Sequence, residues 1–312
     1  MTERPELNLH GKGLDAEERE KAAKHFEKNL QEGLEPVPGE IDKSGEIFNF
    51  IETINGYLNE ELQSLGLGEV QLDARRIHVL PPEVFQREFP HRPDANGVYR
   101  GNEDGVYVEK DKSRLQAYKS LLHEVVHQIA FRSFFANPET RQTYTTRNGY
   151  TNEQANEENH EHFRGLNEAV VDSIVKEVFM KHKDELIKEF SISEEEQKES
   201  VSYYQGYMDI LNIVMDKIAE RNDESRESVW SRFKKGEFTG EMMHMRDVEK
   251  TFGKGALRVL AALGSGTKNA RRSKLIEEMK EYFQTDDEAV RERLAKEILI
   301  ERERLKYKEV RN

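Results

Sequence analysis

Apolar residues recur along the chain in a few runs of clear period. From Ile47 to Leu65 the residues Ile47, Phe48, Ile51, Ile54, Leu58, Leu62 and Leu65 fall at helical spacing, and Gly66 and Gly68 stop the run. Arg76–Leu80 reads as a short strand halted by Pro81 and Pro82. Gly97–Arg100 and Gly105–Glu109 are two Val/Tyr runs split by Gly101-Asn102-Glu103-Asp104, which predicts a hairpin. Between Ser113 and Ile129 the period turns helical again, with Leu115, Tyr118, Leu122, Val125 and Ile129 on one buried face. Phe131–Phe163 is irregular and polar, except for a hairpin over Tyr144–Tyr150 turning at Asn148-Gly149. A second buried helix is expected from Leu166 to about Lys181.

Beyond Glu195 nearly everything predicts helix. The segments run near Glu195–Arg221, Arg226–Lys234, Met243–Phe252, Lys254–Leu263, Lys274–Phe283 and Asp287–Tyr307, with Gly236, Gly240, Gly253, Gly264 and Gly266 at the breaks. Residues 1–40 are charge-rich and end in Pro36, Pro38 and Gly39, which predicts a tail with one short helix around Ala16–Leu30, then a linker. Three regions follow: a polar tail and linker (1–40), a mixed N-terminal subdomain (41–135) and a helical C-terminal subdomain (136–312).

Composition narrows the chemistry. Lys and Arg number 48 against 61 Asp and Glu, a net charge of −13, which argues against a nucleic-acid binder because phosphate contacts need a dense basic patch. Charged residues make up 35% and apolar ones 36%, so many helical faces are solvated and no wide buried sheet is expected. There is no Cys, which removes disulfides, thiol catalysis, iron–sulfur clusters and Cys-ligated zinc together. Any metal must be held by His and carboxylates. The N-terminus lacks an apolar signal run, and no stretch nears the roughly 18 apolar residues of a membrane span, so the expectation is a soluble cytoplasmic protein.

The chemistry concentrates at His123-Glu124-Val125-Val126-His127 within the Ser113–Ile129 helix. Histidines four apart project from one face about a turn apart, so both imidazoles can meet one ion, and zinc suits nitrogen and carboxylate donors. Glu124 stands next to a ligand, near enough to reach a metal-bound water without ligating. A third ligand is needed. Ala130 and Ser133 occupy the places where the metzincin pattern has Gly and His, which excludes that class. The better candidate lies in Gly165-Leu166-Asn167-Glu168-Ala169-Val170-Val171-Asp172, where Glu168 and Asp172 sit four apart among apolar neighbours. Like charges at that spacing weaken a helix, and burying them costs more, unless a cation and its histidine relieve both.

Together these motifs resemble the gluzincin metallopeptidases, the thermolysin-like class of zinc proteases, in which an HExxH helix and a downstream Asn-Glu-x-x-x-Asp/Glu helix build the site. The resemblance covers about Ser113–Lys181. The stretch between His127 and Glu168 is longer than in thermolysin and closer to compact or toxin-type gluzincins. It implies an α+β zincin-like fold, with a small mixed-sheet upper lobe, an active-site helix and a mostly helical C-terminal lobe. It implies zinc on His123, His127 and Glu168, Glu124 as general base, Asp172 orienting His123, and Asn167 tying the two helices together. Gluzincins also supply a Tyr or His to the oxyanion. Tyr150, Tyr203, Tyr204 and Tyr207 are the candidates, with Tyr203 or Tyr204 favoured because a helix after the ligand helix can fold back over the metal.

A peptide or protein is the implied substrate, and Gly105-Val106-Tyr107-Val108 the candidate edge strand to pair with it. The alternatives are a noncatalytic zincin-like binding or regulatory module, or an unrelated helical interaction protein carrying accidental motifs. Other signals point to ordinary structure. His160 and His162 read as solvated in a polar loop, Gly264-Ser265-Gly266-Thr267 as a helix connection, and Met242, Met243, His244 and Met245 as packing at the start of a helix.

Overall fold

Asp15 opens the first helix, α1 (Ala16–Glu32), with a capping box: its carboxylate accepts from the Glu18 amide, and the Glu18 side chain accepts from the Asp15 amide. Ala22, Phe26 and Leu30 form its buried stripe, so the expected tail contributes a packed helix. The computed structural model describes residues 9–10, 15–43, 45–110, 113–136, 143–153, 161–194, 196, 204–264 and 270–309. The fold is a mixture of α and β, mostly helical, with small sheets. The chain forms two compact units, Met1–Asn148 with Ile174–Val201, and Gly149–Ser173 with Ser202–Asn312.

The first unit holds β1 (Leu9–His10), α1, α2 (Gly45–Ser64), β2 (Ile77–Leu80), α3 (Pro82–Glu88), β3 (Gly97–Arg100), β4 (Gly105–Glu109), α4 (Arg114–Ile129), β5 (Arg132–Ala136) and β6 (Thr143–Asn148). In its three-stranded sheet the order is β2-β4-β3; β2 runs parallel to β4 with Ile77 opposite Val106, and β3 antiparallel with Gly97 opposite Val108. All residues of β2 and β4 are buried, as strands covered on both faces require. The expected pairing edge is therefore corrected. Gly105–Val108 is the central strand, with β2 on one side and β3 on the other, and β3 lies at the edge.

In the second small sheet β5 comes from a stretch expected to be irregular, whereas β6 covers the first arm of the hairpin expected over Tyr144–Tyr150. β5 pairs parallel with β1 and antiparallel with β6, with a register shift at Ser133/Phe134. The Phe134 ring sits 4.5 Å from that of Phe26, fixing α1 to this sheet.

Buried polar groups tie these layers together. The Asp104 carboxylate accepts from Arg132 at 2.6 Å, Arg132 also donates to the Tyr99 hydroxyl, and Gln128 donates to the Asp104 carbonyl. His78, 1% exposed, faces the Gly33 carbonyl with Nε2 at 3.1 Å and the Glu40 carboxylate with Nδ1 at 2.8 Å. Glu40 also accepts from Lys43 and from the Val37 amide.

The second unit is built from β7 (Thr151–Glu153) paired with β8 (Glu161–His162), and from α7 (Gln205–Asn222), α8 (Arg226–Thr239), α9 (Met245–Phe252), α10 (Ala256–Leu260), α11 (Ala270–Gln284) and α12 (Glu288–Glu309). Ser225 caps α8, and Gly240 ends it at φ +76°, in the left-handed region that favours glycine. Ile210, Leu211, Val214, Val248, Leu260, Met279, Phe283 and Ile298 are its innermost side chains. Two helices join the units in sequence: α5 (Arg164–Lys181), unbroken across the division at Ser173/Ile174, and α6 (Lys183–Glu189) in the first unit. No helix among the described residues is long and apolar enough to cross a membrane.

Glu40 sets an acid limit on the first unit. Burial pushes its carboxyl up, but the hydrogen bonds from His78 and Lys43 outweigh that and hold it below the ordinary 4.5. A lowered folded pKa adds stability that is present above the unfolded value and lost as pH falls through the folded one. Urea unfolding across roughly pH 3–6 is expected to show stability falling on the acid side, and Glu40→Gln is expected to lower stability at neutral pH and flatten that fall. An unchanged slope in the variant would show that Glu40 is not responsible.

Candidate metal centre

Ser113 starts α4 by accepting from the Gln116 amide, which sets the register of the whole helix. Leu115, Tyr118, Leu121, Leu122, Val125 and Val126 are buried, and α4 packs on β3 and β4. That face leaves His123 and His127 projecting together one turn apart. Their Nε2 atoms lie 3.1 Å from each other, with the rings at 75°. Two nitrogens bound at about 2.0–2.1 Å to a tetrahedral ion stand about 3.3–3.4 Å apart, so the pair is close to a ligating geometry before any ion is added.

The third donor arrives on α5. From Ile174 on this helix belongs to the first unit, where Ile174, Val175, Val178 and Phe179 are buried and Lys119 of α4 lies over the Phe179 ring at 4.8 Å. The same continuous helix carries Glu168 two turns earlier. Ligand atoms of His123, His127 and Glu168 all lie within 4.8 Å of one another, the only such group of three among the described residues. Arg164 stands one turn before Glu168, 3.9 Å from its carboxylate. Two imidazoles and a carboxylate match the nitrogen and oxygen donors of a three-ligand zinc site with an open fourth position.

Glu124 is 9% exposed. Gly97, the first residue of β3, faces it: a Cβ there would lie 2.7 Å from Glu124 Cγ and 2.9 Å from its Oε1. A side chain at 97 would displace the carboxylate, so this glycine reserves the space. The sequence reading missed Gly97, and its only signal is a glycine opening a Val/Tyr run.

Asn167, 2% exposed, holds the turn after β6: its Oδ1 accepts from the Tyr150 amide at 2.6 Å and the Thr151 amide at 3.3 Å. The backbone of α5 starts against the 261–264 segment, with the Gly165 amide donating to the Leu263 carbonyl. Asp172 is partly buried one turn beyond Glu168. Tyr204 stands just before the first residue of α7 and stacks on Tyr207 with centroids 5.7 Å apart, whereas Tyr203 lies outside the described residues.

Tyr150 is 1% exposed, and its hydroxyl bonds to the Phe233 carbonyl and to His244. His244 is thus a buried hydrogen-bond partner and Met245 beside it is buried, but Met243 is exposed, so the packing reading of this run does not hold for it. His162 accepts from Arg302 at its Nδ1, 2.7 Å away, so it is held rather than solvated, while His160 lies outside the described residues. Gly264 lies against Gly165 in the connection that the sequence predicts, and Ser265, Gly266 and Thr267 lie outside the described residues. No protein-family model, curated protein or solved structure matches the chain.

The contact between Gly97 and Glu124 predicts an energetic coupling. Gly97→Ala is expected to destabilise the protein by about 1–3 kcal/mol through overpacking. In a Glu124→Ala background the same change should cost less, by about 0.5–3 kcal/mol. A double-mutant cycle read by urea unfolding checks this, and strictly additive effects would mean that the glycine serves another purpose.

Proposed function

We propose that the chain is a zinc metallopeptidase of the gluzincin, zincin-like kind, hydrolysing peptide bonds in a peptide or protein substrate. The observation that carries this reading is the convergence of His123, His127 and Glu168 donor atoms within 4.8 Å, beside a carboxylate for which Gly97 leaves room. A zinc ion held by these three residues would lower the pKa of a water ligand towards about 7 and polarise the scissile carbonyl.

The chain's own residues supply the rest. Glu124 takes the proton of the attacking water on a carboxylate oxygen and gives it to the departing amine nitrogen. Asp172 accepts from the His123 ring nitrogen turned away from the ion, fixing the tautomer that ligates. A hydroxyl, from Tyr203 or Tyr204, donates to the oxygen that gains charge as the carbonyl is attacked. The Tyr150 hydroxyl is engaged with Phe233 and His244, which disfavours it for that task. Extended substrate would pair with β3, the edge strand that begins at Gly97, in the manner of strand addition.

The full-length protein, purified and assayed for zinc and for cleavage of a denatured protein substrate, tests the reading. Glu124→Gln is expected to keep its zinc and lose turnover by roughly 100–10,000-fold. Asp172→Ala should bind zinc about 10–100-fold more weakly. Tyr204→Phe and Tyr203→Phe, made separately, are expected to leave zinc in place, with one of them cutting the rate about 100–1,000-fold. A wild-type protein that holds zinc and cleaves nothing would favour the noncatalytic binding or regulatory module.

A further inference from the structure

The turn that follows β6 stands out within the second unit. Gly149 has φ +52°, and a Cβ there would fall on Oε1 of Glu237 and Oδ1 of Asn167. Only a glycine meets both demands, the left-handed backbone and the absence of a side chain. The next residue, Tyr150, gives its amide to Asn167, the residue immediately before Glu168. At the other end of the same side chain the hydroxyl is 2.9 Å from the Phe233 carbonyl and 2.6 Å from His244 Nε2.

The carbonyl can only accept. The hydroxyl therefore donates to Phe233, and His244 donates to the hydroxyl, so one hydrogen-bond pattern satisfies both contacts. Gly236 lies over that hydroxyl, and a Cβ there would also come 2.6 Å from His244 Cε1. Tyr150 is thus fixed at both ends, and the amide it presents to Asn167 has one place to be.

We propose that the Gly149–Tyr150 turn is a positioning element for the metal ligand Glu168, acting through Asn167. The proposal rests on the metal-centre reading above and deepens it. A carboxylate ligand must hold its oxygen within a few tenths of an ångström of a common point, and a helix end left to fray does not do this. Asn167 pins the first turns of α5 by accepting two backbone hydrogen bonds, from Tyr150 and Thr151. Glu237, 0% exposed, closes the other side of Gly149, so the turn does not relax away from Asn167. Gly149, Tyr150 and Glu237 are positioning residues: the proposal gives them no contact with the ion.

The test compares zinc affinity with stability. Full-length wild type, Asn167→Ala, Gly149→Ala and Tyr150→Phe are titrated with zinc against a chromophoric chelator, and their cobalt forms are examined by visible absorption. Thermal unfolding without metal is recorded in parallel. Val259→Ala, a buried change in α10 of the same unit, serves as a destabilised control. Asn167→Ala and Gly149→Ala are expected to weaken zinc binding by about 10–100-fold and to alter the cobalt bands. Tyr150→Phe should do so by a smaller factor, and Val259→Ala should lose stability with affinity and bands unchanged.

If wild type binds no zinc, the metal-centre reading fails first. If wild type binds zinc and folded Asn167→Ala and Tyr150→Phe match it in affinity and spectrum, the metal centre stands and the positioning role is overturned. If Val259→Ala weakens zinc as much as Asn167→Ala does, the effect is general stability and the positioning role is likewise overturned. Should Gly149→Ala fail to fold, Asn167→Ala and Tyr150→Phe decide the matter.

Discussion

Two imidazole nitrogens 3.1 Å apart can share one proton or one metal ion, and the packing of α4 holds them to that choice. Both rings ride on α4, so the pair would turn together, away from its present facing, if that helix could rotate. It cannot, because Ser113 fixes the start of α4 and the buried stripe from Leu115 to Val126 locks the helix onto β3 and β4. The same rotation brings Glu124 against Gly97. One helical register therefore sets the two nitrogens, the adjacent carboxylate and the edge strand beside it.

The elements with a long, regular period were legible in the sequence. The helix expected from Ser113 to Ile129 is α4 with Ser113 as its cap, the Gly97–Glu109 hairpin appears with the same strand limits, and the helix expected from Leu166 ends at Lys181 as read. The β5 strand was not legible. Its residues, Arg132 to Ala136, alternate poorly because Arg132 is itself buried, drawn inward by Asp104. A charge that a distant partner neutralises looks like surface when the sequence is read alone. The helix expected near Ala16–Leu30 is α1, Ala16–Glu32, but its anchor was not legible: Phe26 packs on Phe134, more than a hundred residues away along the chain.

The candidate ligands were legible for a different reason: their spacing is a helical geometry written directly into the chain. His123 and His127 share a face by period alone, and Glu168 was marked by an acid pair in an apolar run. What surrounds them was not. Gly97 and Gly149 act by having no side chain where Glu124, Glu237 and Asn167 come close, and a missing atom leaves no pattern. The reading of Gly105–Val108 as a pairing edge failed on topology: alternation gives a strand, but only the parallel partner β2 makes that strand central. Tyr150 was weighed for its hydroxyl, and the structure uses its backbone amide as well, on Asn167.

The metal position itself is the most direct test. Crystals of the full-length protein grown with zinc, measured on both sides of the zinc absorption edge, should give one anomalous peak about 2.0–2.2 Å from Nε2 of His123, Nε2 of His127 and one carboxylate oxygen of Glu168. The two imidazoles should then be bridged by the ion instead of by a shared proton. Zinc-soaked crystals with no peak at that point, and with His123 and His127 still bonded directly to each other, would contradict the account.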